Sequence, residues 1–384
     1  MHDVLVVGAS VAGAATAIHL ARHGRSVLLI DRASFPRRKA CGEGLFSPGV
    51  AELDRLGILT DLLPQACVLT SLRFVVGGRS VEAPLGRSGR PVIGVERRLL
   101  DDTLLRLATD SGVDVRLGVR ATGLIAKGEK FSGIETDHGK LTARVIVAAD
   151  GMRSRLRRAA GAEVTTRRHR YGVSAHFVMA APPSPRVEVH FRPGHEVYFT
   201  PVGGRLVNVA VLLRREQAAR LAGQLRERYC HLVAESGALL SGAQLVDEPL
   251  AAGPFPAEAH RAWRGNLVLA GDAAGFYDGV TGEGMSLALV TARLCANAVE
   301  QFLMGGGHRP FAAYDRERRD LARHSQLLGM LTLTLAAHPH LGAWVVANLA
   351  KRPATFATLL AINQGERGFA SLRPRDCLAV LLGV

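Results

Sequence analysis

A cysteine and a carboxylate stand close together in a short loop, RRKACGEGLF at 37–46, that is otherwise basic or small. Gly42 and Gly44 flank Glu43, and glycines allow another molecule to approach the backbone closely. An ordinary thiol is mostly protonated at neutral pH, and both thiols and carboxylates transfer protons in enzymes. Cys41 and Glu43 are therefore the candidate catalytic residues of this chain.

A second motif with chemical meaning opens the sequence, where a glycine-rich turn separates two apolar strands in the segment 3–32. The turn contains Gly8, Ser10, Val11, Ala12 and Gly13. A helix of small residues follows, and its N-terminus would present N–H groups and a positive dipole end to a pyrophosphate. Asp31 ends the second strand, where it can accept a hydrogen bond from a ribose hydroxyl. Ser10 replaces the middle glycine, and its hydroxyl could donate to a phosphate.

Two further aspartates follow predicted strands at 143–151 and from 266 onward. They are Asp150 and Asp272, the latter preceded by Gly271. Open α/β sheets bind ligands at the carboxyl ends of their strands, so both aspartates are candidate ligand contacts. A second glycine-rich turn then opens a helix predicted at 284–303, and its N-terminus could stabilise negative charge. This turn contains Gly282, Glu283, Gly284 and Met285.

These three motifs, in this order, resemble the FAD-dependent oxidoreductases of the p-hydroxybenzoate-hydroxylase-like fold, and most of all the geranylgeranyl-reductase-related branch, over about residues 3–305. The resemblance implies that the first turn holds the FAD pyrophosphate and that Asp31 and Arg32 lie at the adenosine ribose. It places Arg97 along the FAD, four residues before Asp101. Asp150 and Asp272 would support the cofactor, and Lys39 would add positive charge near its phosphates.

The loop around Cys41 resembles the family's segment that runs along the flavin. The resemblance implies that Gly42 passes beside the ring and that Cys41 faces the substrate, although Cys41 is equally compatible with a small buried apolar role. Glu43 could fix the loop or relay a proton, but a surface charge is its simpler interpretation. Gly279 and Gly275 stand where the family often has proline and histidine, and the tryptophan-rich halogenase motif is absent. The missing histidine argues against a simple aromatic hydroxylase, and the missing tryptophan-rich motif argues against a halogenase.

The pattern of elements predicts an α/β (α+β) fold with three parts. A Rossmann-like FAD-binding domain would comprise 1–70, 95–165 and 262–305, and an inserted antiparallel-sheet substrate domain 71–94 and 166–261. A helical C-terminal region, 306–384, would follow, with breaks at Pro339 and Pro353. Its part from 327 onward would cap the substrate domain and line an apolar entrance, although plain core packing is the simpler interpretation of its apolar residues. Helices are predicted at 47–59, 97–112 and 215–237 as well. Tyr198 and His195 lie on strands that could face the flavin.

Composition narrows the class of protein. The 384 residues carry a formal net charge of +14, and most basic residues are scattered arginines without a nucleic-acid motif, so no nucleic-acid partner is expected. The five cysteines form no CxxC pair, and His169, His176 and His190 lack metal-ligand spacing, so no metal is expected. The arginines at 153–158 are interpreted as a solvated helix face. No signal peptide or membrane-spanning run is apparent, which predicts a cytoplasmic protein.

Two enzyme classes remain open at this point. The preferred one is flavin-mediated reduction of a C=C bond in a lipophilic, isoprenoid-like or polyketide substrate, either free or bound to a carrier protein. The alternative is a monooxygenase of an aromatic or polyketide substrate, and a remote one is a non-catalytic flavoprotein or carrier-protein-binding module. NAD(P)H or a separate reductase would deliver electrons transiently, because no second complete dinucleotide fingerprint is present. The apolar tail also allows peripheral contact with a membrane.

Overall fold

Two eight-stranded sheets dominate the computed structural model, which describes residues 2–86, 89–128, 130–166, 169–237 and 240–383. The strands are β1 (His2–Val7), β2 (Val27–Asp31), β3 (Gly44–Leu45), β4 (Cys67–Leu69), β5 (Ser71–Val76), β6 (Arg79–Pro84), β7 (Val92–Gly94), β8 (Asp114–Leu117), β9 (Ala121–Lys127), β10 (Lys130–Thr136), β11 (Gly139–Ala148), β12 (Glu163–Val164), β13 (Arg170–Val178), β14 (Arg186–Arg192), β15 (His195–Gly203), β16 (Leu206–Arg214), β17 (Gln244–Leu245), β18 (Leu250–Phe255), β19 (Ala257–Ala259), β20 (Trp263–Arg264), β21 (Leu267–Leu269) and β22 (Gly275–Phe276). The helices are α1 (Val11–Arg22), α2 (Ser47–Leu56), α3 (Leu59–Leu62), α4 (Arg97–Asp110), α5 (Arg155–Ala159), α6 (Arg215–Arg220), α7 (Leu225–Ala234), α8 (Gly284–Gln301), α9 (Arg309–Ala337), α10 (Pro339–Ala350), α11 (Pro353–Asn363) and α12 (Pro374–Leu382).

The first sheet has the order β20-β21-β11-β1-β2-β8, and the strands from β21 to β8 run parallel. Its central strands are runs of apolar residues, and all of β2 is buried. Val4 in β1 pairs with Val145 of β11 and with Val27 of β2. This register brings the carboxyl ends of β1, β2, β11 and β21 to one edge of the sheet. The candidate ligand contacts that follow these strands therefore meet at that edge.

The second sheet is mainly antiparallel and has the order β17-β13-β16-β15-β14-β5-β6, with β18 beside β13. The hairpin of β5 and β6, which turns at Gly77 and Gly78, joins it through the parallel pairing of β5 with β14. One face packs against α7, where Tyr229 is fully buried. The other face borders the cavity described below. The predicted fold class is confirmed, and the exact domain boundaries stay a prediction.

The C-terminal helices cover the second sheet. α10 and α11 pack against β5 and β6, and α9 bends by 120° into α10 at Pro339, as the prolines predict. By length and composition alone, the segment Gly284–Gly306 could cross a membrane, and so could the bent pair of α9 and α10 if it formed one span. Most of α8 packs instead in the core against α1 and α2.

Two predictions from the sequence about helical segments are wrong. The single helix expected at 215–237 is two short helices, because the chain turns at Gly223 with a φ of 78°. The arginine-rich face at 153–158 is not wholly solvated. Arg157 is 2% exposed, and its guanidinium donates to the carbonyl oxygens of Ala273 and Met152. It thereby braces the turn that carries Asp272.

Candidate active site

The turn between β1 and α1 is shaped by close backbone contacts. Gly8 has a φ of 104°, and a Cβ atom there would lie 2.3 Å from the carbonyl oxygen of Ala149. A Cβ atom on Gly13 would lie 1.7 Å from the carbonyl oxygen of Gly8. Both positions therefore require glycine. Val11 and Ala12 border a large cavity, so the N-terminus of α1 faces the space where a phosphate would bind.

Asp31 ends β2 and holds this turn. Its Oδ2 accepts the backbone N–H of Ala9 at 2.8 Å, and its Oδ1 accepts that of Ala33 at 2.8 Å. A carboxylate has about four acceptor positions, so Asp31 can still accept from a ribose hydroxyl. Arg37 lies 3.7 Å from Asp31, whereas Arg32 is exposed.

A buried triad links the turn to α4. Arg97 donates from Nε and Nη2 to the two carboxylate oxygens of Asp101, at 3.1 and 2.9 Å, and from Nη2 to the hydroxyl of Ser10 at 2.6 Å. The Ser10 hydroxyl donates to Asp101 at 3.0 Å. Burial lowers the pKa of Arg97, but Asp101 and the Cys41 thiol raise this pKa by more than burial lowers it. The guanidinium therefore stays charged. Asp101 was not recognised as a site residue from the sequence, although its spacing of four from Arg97 suits a helical ion pair.

Cys41 lines the cavity and is partly buried. Its thiol is close enough to the Arg97 guanidinium to raise the pKa of Arg97. Its sulfur accepts the backbone N–H of Glu43 at 3.3 Å. Gly42 and Gly44 also line the cavity, and a Cβ atom on either would meet nothing within 4 Å. The loop therefore presents a thiol and bare backbone to the cavity.

Glu43 is not a surface charge, and that interpretation is wrong. Its side chain is 2% exposed, and its backbone has a φ of 58°. Oε1 accepts the backbone N–H of Arg97 at 2.8 Å, and Oε2 lies 2.7 Å from Nε2 of His176. Burial lowers the pKa of His176, but hydrogen bonds and charge from Glu43 and then Asp247 raise it to about 9. Glu43 fixes the loop, and the sequence had no signal for its partner 133 residues away.

Lys39, Asp272 and Asp150 lie around the same sheet edge. Lys39 and Asp272 line the cavity, and a Cβ atom on Gly271 would lie 2.6 Å from Cβ of Ala12. Asp150 instead caps α5, because its Oδ2 accepts the N–H groups that follow Ser154. Its Oδ1 is buried without a hydrogen-bond partner among the described residues, and burial raises its pKa.

The second glycine-rich turn is tied to the C-terminal helices. Gly282, with a φ of 70°, lines the cavity together with Gly284 and Met285. Glu283 points away from it, is 5% exposed and forms a hydrogen bond with Ser325 of α9. Burial raises the pKa of Glu283 to about 8, so this side chain is largely protonated at neutral pH.

One cavity of about 680 Å³ connects these segments. It begins at the turn after β1 and the Cys41 loop and extends between the second sheet and the C-terminal helices. Its far part is walled by apolar side chains, which include Leu72, Phe74, Val189, Phe191, Leu335, Val346, Leu349 and Phe356. Residues of α9, α10 and α11 in the C-terminal tail line this cavity.

Tyr198 also lines the cavity, whereas His195 lies 3.5 Å from Glu235, beside α7. A buried cluster that the sequence did not suggest stands near Tyr198. Arg170 pairs with Glu196 and lies 3.6 Å from Asp278, which begins the turn at Gly279. Burial raises the pKa of Glu196 to about 7 against the opposing charge of Arg170.

The residues at the sheet edge fit FAD. The glycine contacts leave room for a pyrophosphate at the N-terminus of α1, and Asp31 can accept from a ribose. Burial and the nearby Arg97 lower the pKa of Lys39 although Asp272 and Asp101 act in the opposite direction. This ammonium therefore lacks a full counter-charge, which an anionic cofactor would provide. Within the described residues, no group of three or more His, Cys, Asp or Glu side chains could hold a metal ion.

Comparison with known proteins agrees with this site. Residues 1–326 match the FAD binding domain family. The chain is 33% identical over 321 residues to a menaquinone reductase of Mycolicibacterium smegmatis, covering 77% of this chain and 75% of the relative. It is 28% identical over 338 residues to a digeranylgeranylglycerophospholipid reductase of Methanocella arvoryzae, covering 83% of each.

A solved structure of a geranylgeranyl bacteriochlorophyll reductase-like protein from Thermoplasma acidophilum has the same fold. Its TM-score to this chain is 0.81 at 19% identity, and the match covers 100% of this chain and 99% of that one. The glycine turn, the acidic residue after β2 and the family match all point to one cofactor. The chain belongs to the FAD binding domain family and is an FAD-dependent oxidoreductase.

Proposed function

We propose that this enzyme reduces a carbon–carbon double bond in a lipid with a long apolar chain, such as an isoprenoid. The observation that carries the proposal is the cavity, which runs without interruption from the Cys41 loop into the apolar space between β5, β14 and the C-terminal helices. An extended hydrocarbon chain would fill that space and displace water from it. The two relatives described above are also named as reductases of lipids.

Reduction adds a hydride to one carbon and a proton to the other. Bound FAD would supply the hydride after accepting electrons from NAD(P)H or a separate reductase. The Cys41 thiol is the proposed proton donor, because it borders the cavity beside the bare backbone of Gly42. Arg97 orients this thiol and stabilises the thiolate left behind. The apolar walls exclude water from the reacting carbons.

The test uses the FAD-loaded protein with a chemical reductant and either menaquinone or a digeranylgeranyl lipid. Mass spectrometry should show the gain of two hydrogen atoms per double bond reduced. Cys41→Ser should slow this reaction about a hundredfold with FAD retained, because general acid catalysis typically contributes that much or more. Cys67→Ser, at a second partly buried thiol, serves as the matched control. No reduction of either lipid, with FAD bound, would contradict the proposal.

We propose further that the enzyme is cytoplasmic and takes its substrate from an anionic membrane surface. The apolar side chains of Leu327, Met330 and Leu331 on α9 are 45%, 47% and 51% exposed, and Leu331 also lines the cavity. They follow at helical spacing from the exposed Arg323. Residues 338–383 contain five basic and two acidic side chains, so anionic lipids suit this region. A lipid could thus enter the cavity directly from the bilayer.

Sedimentation with vesicles tests this surface. The protein should bind vesicles with phosphatidylglycerol better than vesicles of phosphatidylcholine alone. Met330→Glu should weaken that binding about tenfold, because it places a charge where apolar surface is buried. Met304→Glu is the control, since Met304 is 74% exposed and precedes α9. Equal binding by both variants, or an effect of Met330→Glu on self-association alone, would exclude the membrane as the partner.

A further inference from the structure

We propose that His176 is a positioning residue that holds Cys41 in the cavity by acting through Glu43. The inference rests on the proposed function only for the role of Cys41 as the proton donor. His176 lies on β13 of the second sheet, and its ring reaches the Cys41 loop through Glu43. It would therefore couple the sheet that forms the substrate cavity to the loop that carries the thiol.

The hydrogen bonds around His176 require a doubly protonated ring. Nε2 lies 2.7 Å from a carboxylate oxygen of Glu43, and Nδ1 lies 2.7 Å from a carboxylate oxygen of Asp247. The amide nitrogen of Asn208 lies farther away, 3.4 Å from Nε2. An ionised carboxylate only accepts hydrogen bonds, so both ring nitrogens donate to the two closer carboxylates. Asp247 is partly buried and also pairs with Arg38 at 2.8 Å, so Arg38 balances the charge of Asp247. The imidazolium is thus the counter-charge of the buried Glu43 carboxylate.

The same strand holds the loop at a second point. Ser174 and His176 are two residues apart on β13, so their side chains project from the same face of the strand. The hydroxyl of Ser174 accepts the backbone N–H of Cys41 at 3.1 Å. The loop is consequently attached to β13 on both sides of Gly42. This arrangement leaves the thiol directed to Arg97 and the cavity.

Glu43 needs these attachments because its backbone is strained. It is the one non-glycine residue with a positive φ, 58°, among the described residues. A residue with a side chain adopts this conformation at a cost in free energy, so surrounding contacts must maintain it. Beyond the two side-chain contacts, the carbonyl oxygen of Glu43 accepts the N–H of Val95 at 3.0 Å. Loss of the imidazolium would leave a buried, uncompensated carboxylate in a strained turn, and the loop would relax.

Alkylation of Cys41 reports this positioning without substrate or turnover. The FAD-loaded wild type and variants are treated with iodoacetamide at one pH, and each cysteine is followed by peptide mass spectrometry. His176→Gln should raise the rate of Cys41 alkylation roughly ten- to hundredfold. This factor corresponds to the free energy of losing one hydrogen bond to a charged group. Asp247→Asn, which leaves Glu43 intact, should have a smaller effect in the same direction. His190→Gln is the matched control, because His190 pairs with Glu188 in the same sheet.

An unchanged Cys41 rate in both His176→Gln and Asp247→Asn would overturn the proposal. An equal rise at Cys67 and Cys230 would also overturn it, because that pattern means general loss of the fold. The expected result is an increase at Cys41 alone, with FAD still bound and His190→Gln at the wild-type rate. If no lipid is ever reduced but this pattern is observed, the proposed function fails while the positioning role stands.

Discussion

Raising the pH should remove about 3 kcal/mol of folding free energy that the charged His176 supplies. Its pKa is about 9 in the folded protein, where Glu43 and Asp247 face it and Arg38 pairs with Asp247. The ordinary value is 6.5, and each unit of pKa difference corresponds to about 1.4 kcal/mol. Because the folded-state pKa is the higher one, this stabilisation is complete below pH 6.5 and is lost as the pH rises through 9.

The measurement is the free energy of unfolding in urea, for FAD-loaded wild type and His176→Gln, at several values of pH between 6 and 10. Glu196 and Glu283 titrate in the same range, with pKa values of about 7 and 8, but both proteins contain them. The difference between the two curves therefore isolates His176. It should decrease by about 3 kcal/mol from the lowest to the highest pH. A difference that does not vary with pH would refute the charged state of His176.

Three other outcomes are expected. Glu283→Gln should raise the free energy of unfolding in urea by up to about 3 kcal/mol at pH 7. The raised pKa of Glu283 makes the native state less stable as the pH rises from 4.5 to 8, and glutamine does not ionise. Gly13→Ala should abolish FAD binding in a fluorescence titration, because the added Cβ atom would clash with the backbone of Gly8. Gly368→Ala should leave FAD binding unchanged, because the space around Gly368 is open. Asp31→Ala should weaken FAD binding by about 1.5–3 kcal/mol in the same titration; unchanged affinity would exclude it as a ribose ligand.

Local patterns account for the parts of this structure that the sequence predicted. The turn from Gly8 to Gly13 and the strand before it depend on residues adjacent in the chain, and their apolar runs and glycines determine them. Pro339 and Pro353 end helices because proline cannot donate the required backbone hydrogen bond. The family resemblance added the cofactor and the position of the Cys41 loop.

The residues whose burial the sequence did not predict, Glu43 and Arg157, are both buried by contacts with distant segments of the chain. Glu43 was interpreted as a surface charge because its loop is polar, yet its partner His176 comes from another sheet. Arg157 was expected in solvent because its neighbours are basic, yet the carbonyl oxygen of Ala273 lies 116 residues away. Burial of these charges depends on contacts between distant segments, and neither hydrophobic periodicity nor residue spacing encodes such contacts.

Anaerobic single turnover tests the central claim most directly. The enzyme is reduced without oxygen and mixed with menaquinone or a digeranylgeranyl lipid, and flavin absorbance and product mass are followed together. We predict that flavin reoxidation and the gain of two hydrogen atoms proceed at the same rate in the absence of oxygen. A requirement for oxygen, with one atom of labelled dioxygen in the product, would contradict reduction and identify a monooxygenase.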